Sequence, residues 1–265
     1  MISMLYVLKF GGNAIRGEED LARLANEIKG LKEKKAGVIL VHGGGPEINE
    51  ELERRGITPV KVDGLRVTDE ATLSAVEHAL SALNSKVVAA LREAGLRAKG
   101  LAAAGYTVSK KLPPYRAADG KTVDLGLVGE VVSVNTKPLL RKAVSDIVPV
   151  IYPVSLDESG ARLNVNADSM AAAIAAAVRC DEMVQITDVP GVMLDVSDPS
   201  SVRKELTLAQ VDDLIRDGVI TGGMIPKVEA CRSAIEAGVR RVRMVNGKDP
   251  GTPMLSGTAG TVITK

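Results

Sequence analysis

Two lysines stand beside glycines near opposite ends of this sequence. Lys9 precedes Gly11 and Gly12 in LKFGGN, and Lys227 opens a helix in ITGGMIPKVEA. Between them come a triple glycine in VHGGGPEIN, an arginine (Arg66) in VDGLRVTD, and LNVNADSM, where Asn164, Asn166 and Asp168 fall at alternate positions. Ammonium groups and glycine amides are anion holders. The N–H groups of Gly44 and Gly45, ahead of a helix that Pro46 opens, are able to donate to a carboxylate or phosphate oxygen. The same glycines also read as a tight structural turn after a strand. Asp168 reads either as the cap of the alanine-rich helix that follows or as a charge in a site, and two asparagines on its side favour the second.

Candidate bases are scarce by comparison. His42 closes a buried strand, His78 lies within a long helix, and there is no GxSxG elbow. Gly43 to Asn49 is not GxxxxGK[ST], and no GxGxxG follows the first strand, so the usual nucleotide fingerprints are absent. Cations and amides without a base suit phosphoryl transfer to an acceptor that is already ionised. A carboxylate, with a pKa of about 4.3, is one. What remains is to position two anions and neutralise the charge that spreads over the transferred group.

Composition narrows the classes. Across 265 residues, 34 basic side chains against 33 acidic ones argue against a general nucleic-acid or membrane surface, and one Phe, four Tyr and no Trp leave no platform for stacking bases. Cys180 and Cys231 belong to no metal or redox motif and read as buried fillers in a reducing compartment. MISMLYVLKFGG is no signal peptide, and the alanine-rich run Ser169 to Val178 is far short of the roughly 20 residues that a membrane span needs. The expectation is a cytoplasmic protein with no protein-held metal.

The elements that must position these residues read in order. Leu5 to Phe10 is a strand, Asp20 to Lys35 an amphipathic helix, and Val38 to Val41 a strand apolar on both faces, which together imply a parallel pair with a right-handed crossover. Thr68 or Asp69 caps a long helix, Glu70 to Ala94, whose seam (Leu73, Val76, Leu80, Leu83, Val87, Leu91) suits the sheet or a second copy of the chain. Gly95 to Val134 reads as hairpins, with a basic tip of Lys110, Lys111, Arg116 and Lys121. Further strands are expected at Ile147 to Val154, Glu182 to Thr187, Arg240 to Asn246 and Gly260 to Lys265, with helices at Lys137 to Ser145, Leu206 to Ile215 and around Lys227. A lobe boundary falls near Arg179, giving units 1–179 and 180–265.

KFGGN, VHGGGPEIN, VDGLRVTD, LNVNAD, TDVPGV and ITGGMIPKVEA occur here in the order found in the amino acid kinase superfamily, and together they resemble its acetylglutamate kinase branch. The resemblance implies an α/β fold, a three-layer αβα sandwich with a mostly parallel eight-stranded central sheet. It further implies an acceptor lobe in 1–179, a nucleotide lobe in 180–265, and a homodimer through the long helix. The implied activity is transfer of the γ-phosphoryl group of ATP, with Mg2+ between the phosphates, to the side-chain carboxylate of N-acetyl-L-glutamate in arginine biosynthesis. Lys9 and Lys227 match the lysines that stabilise the transition state, and Asp168 the carboxylate that orients them. Gly44, Gly45, Arg66 and Asn164 match acceptor-holding positions. Gly11 and Gly12, Asp188, Val189, Pro190, Gly191, Val192 and Met193, and Val219, Ile220 and Thr221 match nucleotide-binding ones.

Two departures stand out. GLAAAGY follows Lys99 where the family more often has a turn with glycine, serine and aspartate, and the chain starts directly on its first strand, without the extra helix of arginine-inhibited hexamers, which implies insensitivity to arginine. The closest alternative is a sister kinase whose aminoadipate or glutamate acceptor is tethered to an acidic carrier protein, for which the basic tip would be the dock. A non-catalytic sensor on the same fold is a more distant alternative.

Overall fold

The computed structural model describes residues 2–11, 13–15, 17–249, 251 and 253–265. Eight strands form one sheet in the order Glu205–Thr207, Thr261–Thr264, Val242–Asn246, Glu182–Thr187, Leu5–Phe10, Gly37–His42, Ile147–Tyr152, Arg97–Ala102. The strands from Val242–Asn246 to Arg97–Ala102 run parallel. The Thr261–Thr264 strand turns antiparallel to Val242–Asn246 and carries Glu205–Thr207 with it at that edge.

Alternation along each central strand divides the core into two. Val7, Ile39, Val41, Ile151, Met183 and Met244 face helices α4 (Thr136–Val144), α5 (Ala167–Val178) and α7 (Ile225–Glu236). Leu8, Phe10, Val38, Leu40, Val150, Val184 and Ile186 face helices α1 (Gly17–Glu33) and α3 (Glu70–Glu93). The expected three-layer αβα sandwich is therefore present. The parity has a functional consequence: Lys9 shares its face with Val7, and Gln185 shares its face with Met183, so both point toward α5 and α7.

Helix α2 (Gly45–Arg54) packs on α3 through Ile48, Leu52, Val76 and Leu80, and α3 is capped by Asp69, which accepts from the Thr72 N–H at 2.7 Å. Helix α6 (Leu208–Arg216) is closed by a reciprocal Thr207/Gln210 capping box. None of the helices of the described residues is long and apolar enough to cross a membrane.

Two features depart from the sequence reading. Arg97–Ala102 is an edge strand of the main sheet, parallel to Ile147–Tyr152, and not a hairpin arm. Only Ala98 and Leu101 of it are fully buried, so a charged edge strand masked the βα unit that α3 begins. After it, Thr107–Lys111, Val128–Val134, Val154–Leu156 and Arg162–Val165 close into a small barrel around buried hydroxyls, with Ser155 bonded to Thr107 and Ser109 at 2.7 and 2.8 Å. Within it Thr107–Lys111 pairs antiparallel with Val128–Val134, and beside it Tyr115–Arg116 with Thr122–Val123, so the expected hairpins are present beyond Ala102, while the closure with Val154–Leu156 and Arg162–Val165 was not expected.

Candidate active site

Glycine turns follow the parallel strands at their carboxyl ends, the edge at which open α/β sheets bind ligands. Lys9, next to last in its strand, sits opposite Gln185 in the register of the adjoining strand. Its Nζ lies 2.6 Å from Asp168 Oδ1, and the lysine side chain is only 10% exposed. The ammonium also crowds the turn, since a Cβ on Gly11 would stand 3.3 Å from it. Gly12, assigned with Gly11 to the nucleotide, lies outside the described residues.

Asp168 is not the helix cap. Asn166 takes that position, its Oδ1 accepting from the N–H groups of Asp168 at 2.8 Å and Ser169 at 3.1 Å. The extended segment thus ends at Val165, and the Asp168 carboxylate is left to the site, in the first turn of α5 where the helix dipole favours negative charge. The same Oδ1 also accepts from Gln185 Nε2 at 2.9 Å.

Lys227 lies in the first turn of α7, where that dipole disfavours a cation. Its partner is Asp188, one residue past the Glu182–Thr187 strand, with Nζ 2.6 Å from Oδ1. Hydrogen bonding by Lys227 holds the Asp188 carboxyl below the usual range. The structure therefore gives each lysine its own carboxylate, whereas the resemblance implied that Asp168 orients both. Gly222 and Gly223, just ahead of α7, have open space where a side chain would stand.

The acceptor candidates converge on a cavity of about 150 Å³ lined by Gly44, Gly45, Arg66, Asn164, Asn166 and neighbours. Arg66 is 7% exposed and donates from Nη2 to Asn49 Oδ1 at 2.6 Å, while its buried Nη1 has no partner among the described residues. Burial pushes its guanidinium below the ordinary value, yet an arginine stays charged, so a carboxylate is the natural complement. Asn164 donates to Thr68 Oγ1 at 3.2 Å, and Thr68 in turn to the Arg66 carbonyl at 2.8 Å. Gly45 is the first residue of α2 and open to the cavity, but a Cβ on Gly44 would come within 2.8 Å of Leu80, so that glycine also serves packing.

A buried knot fixes this turn. His42 Nδ1 donates to the Gly43 carbonyl at 2.7 Å and its Nε2 accepts from Asn84 Nδ2 at 3.0 Å, while Asn84 also donates to the Val150 carbonyl at 3.0 Å. This pattern defines a neutral imidazole, and burial pushes its pKa down to about 4. Gly100 is required for the knot: a Cβ there would lie 2.1 Å from Asn84 Oδ1.

The nucleotide candidates divide into inner and outer residues. Val192 is buried, its N–H given to Thr261 Oγ1 at 2.8 Å and its carbonyl to the Arg203 N–H at 2.8 Å; Ile220 is buried in the same core. Gly191 has φ +140°, and a Cβ would meet Thr261 Oγ1 at 2.5 Å, so only glycine fits between these loops. Asp188, Val189, Pro190, Met193, Val219 and Thr221 stay at least partly exposed. Among the described residues there is no group of three or more His, Cys, Asp or Glu placed to hold a metal.

The sequence profile described as "Amino acid kinase family" matches residues 4–246. The chain belongs to the amino acid kinase family. An "Acetylglutamate kinase" of Methanococcus maripaludis strain S2 is 42% identical over 254 residues, covering 94% of this chain and 86% of the relative. Another, of Methanopyrus kandleri, is 42% identical over 243 residues, covering 91% and 94%. Among solved structures, smu.665 of Streptococcus mutans aligns with TM-score 0.77 at 28% identity over 98% of both chains. The Giardia carbamate kinase aligns with TM-score 0.69 at 14% identity over 99% of both, which bears on the fold alone.

Membership in this amino acid kinase family makes the chain an ATP-using phosphotransferase. Sequence reasoning missed Asn166 as the cap, the Asp188–Lys227 pair, and the bond of Gln185 to Asp168. Asn166 was signalled, since an Asn two positions before Asp168 is itself a preferred cap. Nothing signalled Gln185.

Proposed function

We propose that this protein transfers the γ-phosphoryl group of ATP to the side-chain carboxylate of N-acetyl-L-glutamate, giving an acyl phosphate for arginine biosynthesis in the cytoplasm. The observation that carries the acceptor assignment is the unpartnered, buried Arg66 Nη1 on the wall of a small cavity that opens beside the glycine turn. The relatives named acetylglutamate kinase support the same reading.

In this reading Arg66 takes the α-carboxylate of the acceptor in a charge-assisted pair, and Asn164 bonds its other polar groups. The N–H of Gly45, at the start of α2, faces the side-chain carboxylate. A carboxylate oxygen attacks the γ-phosphorus, the bond to the β–γ bridging oxygen breaks, and ADP leaves without proton transfer. Lys9 neutralises charge on the migrating group from one side and Lys227 from the other, while Asp168 and Asp188 hold the two ammonium groups until phosphate oxygens arrive. Mg2+ would neutralise phosphate charge when bound. Asp168 and Asp188 each already hold a lysine at 2.6 Å, so phosphate oxygens and water would supply most of its ligands.

Residues 1–179 then serve mainly the acceptor and 180–265 the nucleotide, which would lie over Gly11, Asp188 to Pro190, Met193, Val219 and Thr221, with Val192 and Ile220 supporting those loops from the core. The α3 seam from Leu73 to Leu91 is buried within the chain, so a second copy would dock instead on the groove of about 600 Å³ between α1, α2 and α3, where Ala79, Ala82, Ala89 and Ala90 stand among charged residues such as Glu18, Glu50 and Lys86. The tethered acceptor is the weaker reading because three of the four cations of its dock stand beside acidic neighbours of their own. Lys110 pairs with Glu130 at 2.9 Å, Lys121 with Asp119 at 3.3 Å and Lys111 with Asp124 at 3.8 Å.

A hydroxamate-trapping assay with free and carrier-tethered acceptors tests the assignment. Acyl phosphate from free acetylglutamate, with stoichiometric ADP, is the expected result. Turnover of the tethered acceptor alone would overturn it.

A further inference from the structure

Gln185 and Cys231 occupy no substrate-facing position in the reading above, yet Gln185 is bonded to its central carboxylate and Cys231 to Gln185. Gln185 is 3% exposed and Cys231 fully buried. The Cys231 thiol donates to Gln185 Oε1 at 2.9 Å, and Gln185 Nε2 donates to Asp168 Oδ1 at 2.9 Å, the same oxygen that Lys9 Nζ reaches at 2.6 Å. The two ends fix the orientation of the amide, since only its oxygen accepts a thiol proton and only its nitrogen donates to a carboxylate. Burial and the Asp168 charge push the thiol pKa up, so the donor keeps its proton.

We propose that Gln185 is a positioning residue for phosphoryl transfer: anchored by Cys231, it holds Asp168 in the rotamer that fixes Lys9 and ties that pair to the helix carrying Lys227. The geometry joins three elements. Asp168 begins α5, Gln185 lies in the strand beside Lys9, and Cys231 stands one helical turn after Lys227, on the same face of α7. A carboxylate bonded only to Lys9 could follow that flexible side chain. A second, buried donor from the sheet sets the position of both. Because the relay ends on α7, the spacing between the two ammonium groups is coupled through buried side chains and not left to the exposed loops.

The role rests on the carboxylate-kinase reading, so its test separates the two. Gln185→Met keeps the volume and removes both hydrogen bonds. In steady-state assays with ATP and acetylglutamate it should lower kcat by roughly tenfold, with both KM values within about twofold of the wild type. Cys231→Ala, which frees the amide to rotate, should lower kcat several-fold, and Cys231→Ser, which restores an O–H donor, should recover most of that loss. Melting curves of all three separate lost folding from lost positioning.

The free protein gives a second readout that needs no substrate. The Gln185 side-chain amide resonance, assigned by its loss in Gln185→Met, should shift in Asp168→Asn and in Cys231→Ala. An amide indifferent to both substitutions overturns the inference, as does a folded Gln185→Met enzyme with unchanged kcat. A wild type that turns over no free acetylglutamate while the amide still responds overturns the acceptor assignment and leaves the relay standing.

Discussion

The two lysine–carboxylate pairs are alike in length and unlike in setting. Lys9 and Asp168 are 10% and 30% exposed, and their shared oxygen carries a further bond from the buried Gln185. Lys227 and Asp188 are 27% and 33% exposed and sit where loops meet a helix start. The first pair lies beside a turn clamped by His42 and Asn84, and the second beside Gly222 and Gly223, which have open space around them. A preorganised charge costs nothing to reorganise when the reaction occurs, whereas an exposed one adapts to an incoming nucleotide. The comparison teaches that one ammonium is built into the scaffold and the other is free to follow its ligand.

The largest effects test whether both charges are needed at all. Lys9→Ala and Lys227→Ala should each lower kcat by a factor on the order of 100 or more, with smaller changes in KM, as read from steady-state kinetics. If the settings matter as argued, the partner carboxylates will separate: Asp168→Asn should lower kcat on the order of 100-fold, Asp188→Asn only about tenfold, because a screened pair at the surface carries less energy. Equal losses would erase the distinction.

Arg66→Ala should raise the acceptor KM on the order of 30-fold with little change in kcat, the loss of one charged hydrogen-bonding partner. An unchanged acceptor KM would move the acceptor out of the cavity.

The clamped side is also expected to respond to acid. Burial pushes His42 from its ordinary 6.5 to about 4, so the folded protein resists a proton that the unfolded chain accepts. Its contribution is complete above pH 6.5, is lost progressively as the pH falls from 6.5 to 4, and changes no further below that. The loss amounts to about 2 kcal/mol at pH 5. Urea unfolding at pH 7 and pH 5 should show a smaller decline in His42→Gln than in the wild type.

The smallest effect is Asn166→Ala. Removing the α5 cap should cost about 1 kcal/mol by denaturant unfolding, and no loss would mean that Asp168 takes over as the cap.

What the sequence by itself determined were features that residue type alone declares. Glycines after β-formers, lysines beside them, an arginine in a loop and apolar strands carry their physics locally, and the parallel α/β reading and the cation and glycine candidates followed from them, while the sandwich, the nucleotide loops and the residue roles came from the resemblance to the family. Lys9 and Lys227 were singled out by the glycines beside them, and a cation at the end of a buried strand, or in the first turn of a helix, is costly unless an anion is near. Pairing is not local. Which carboxylate each lysine takes depends on Asp168 and Asp188 arriving from different elements, and in the sequence Asp168 was also readable as a cap.

Only the tertiary structure decided that Asn166 caps α5, that Arg97–Ala102 joins the sheet at an edge, and that four short strands close around hydroxyls. Only it gave Gln185 a bond to the central carboxylate and Cys231, a filler by its neighbours in sequence, a bond to Gln185. A buried polar side chain reveals its role through its partner, and that partner is chosen by packing across the sheet.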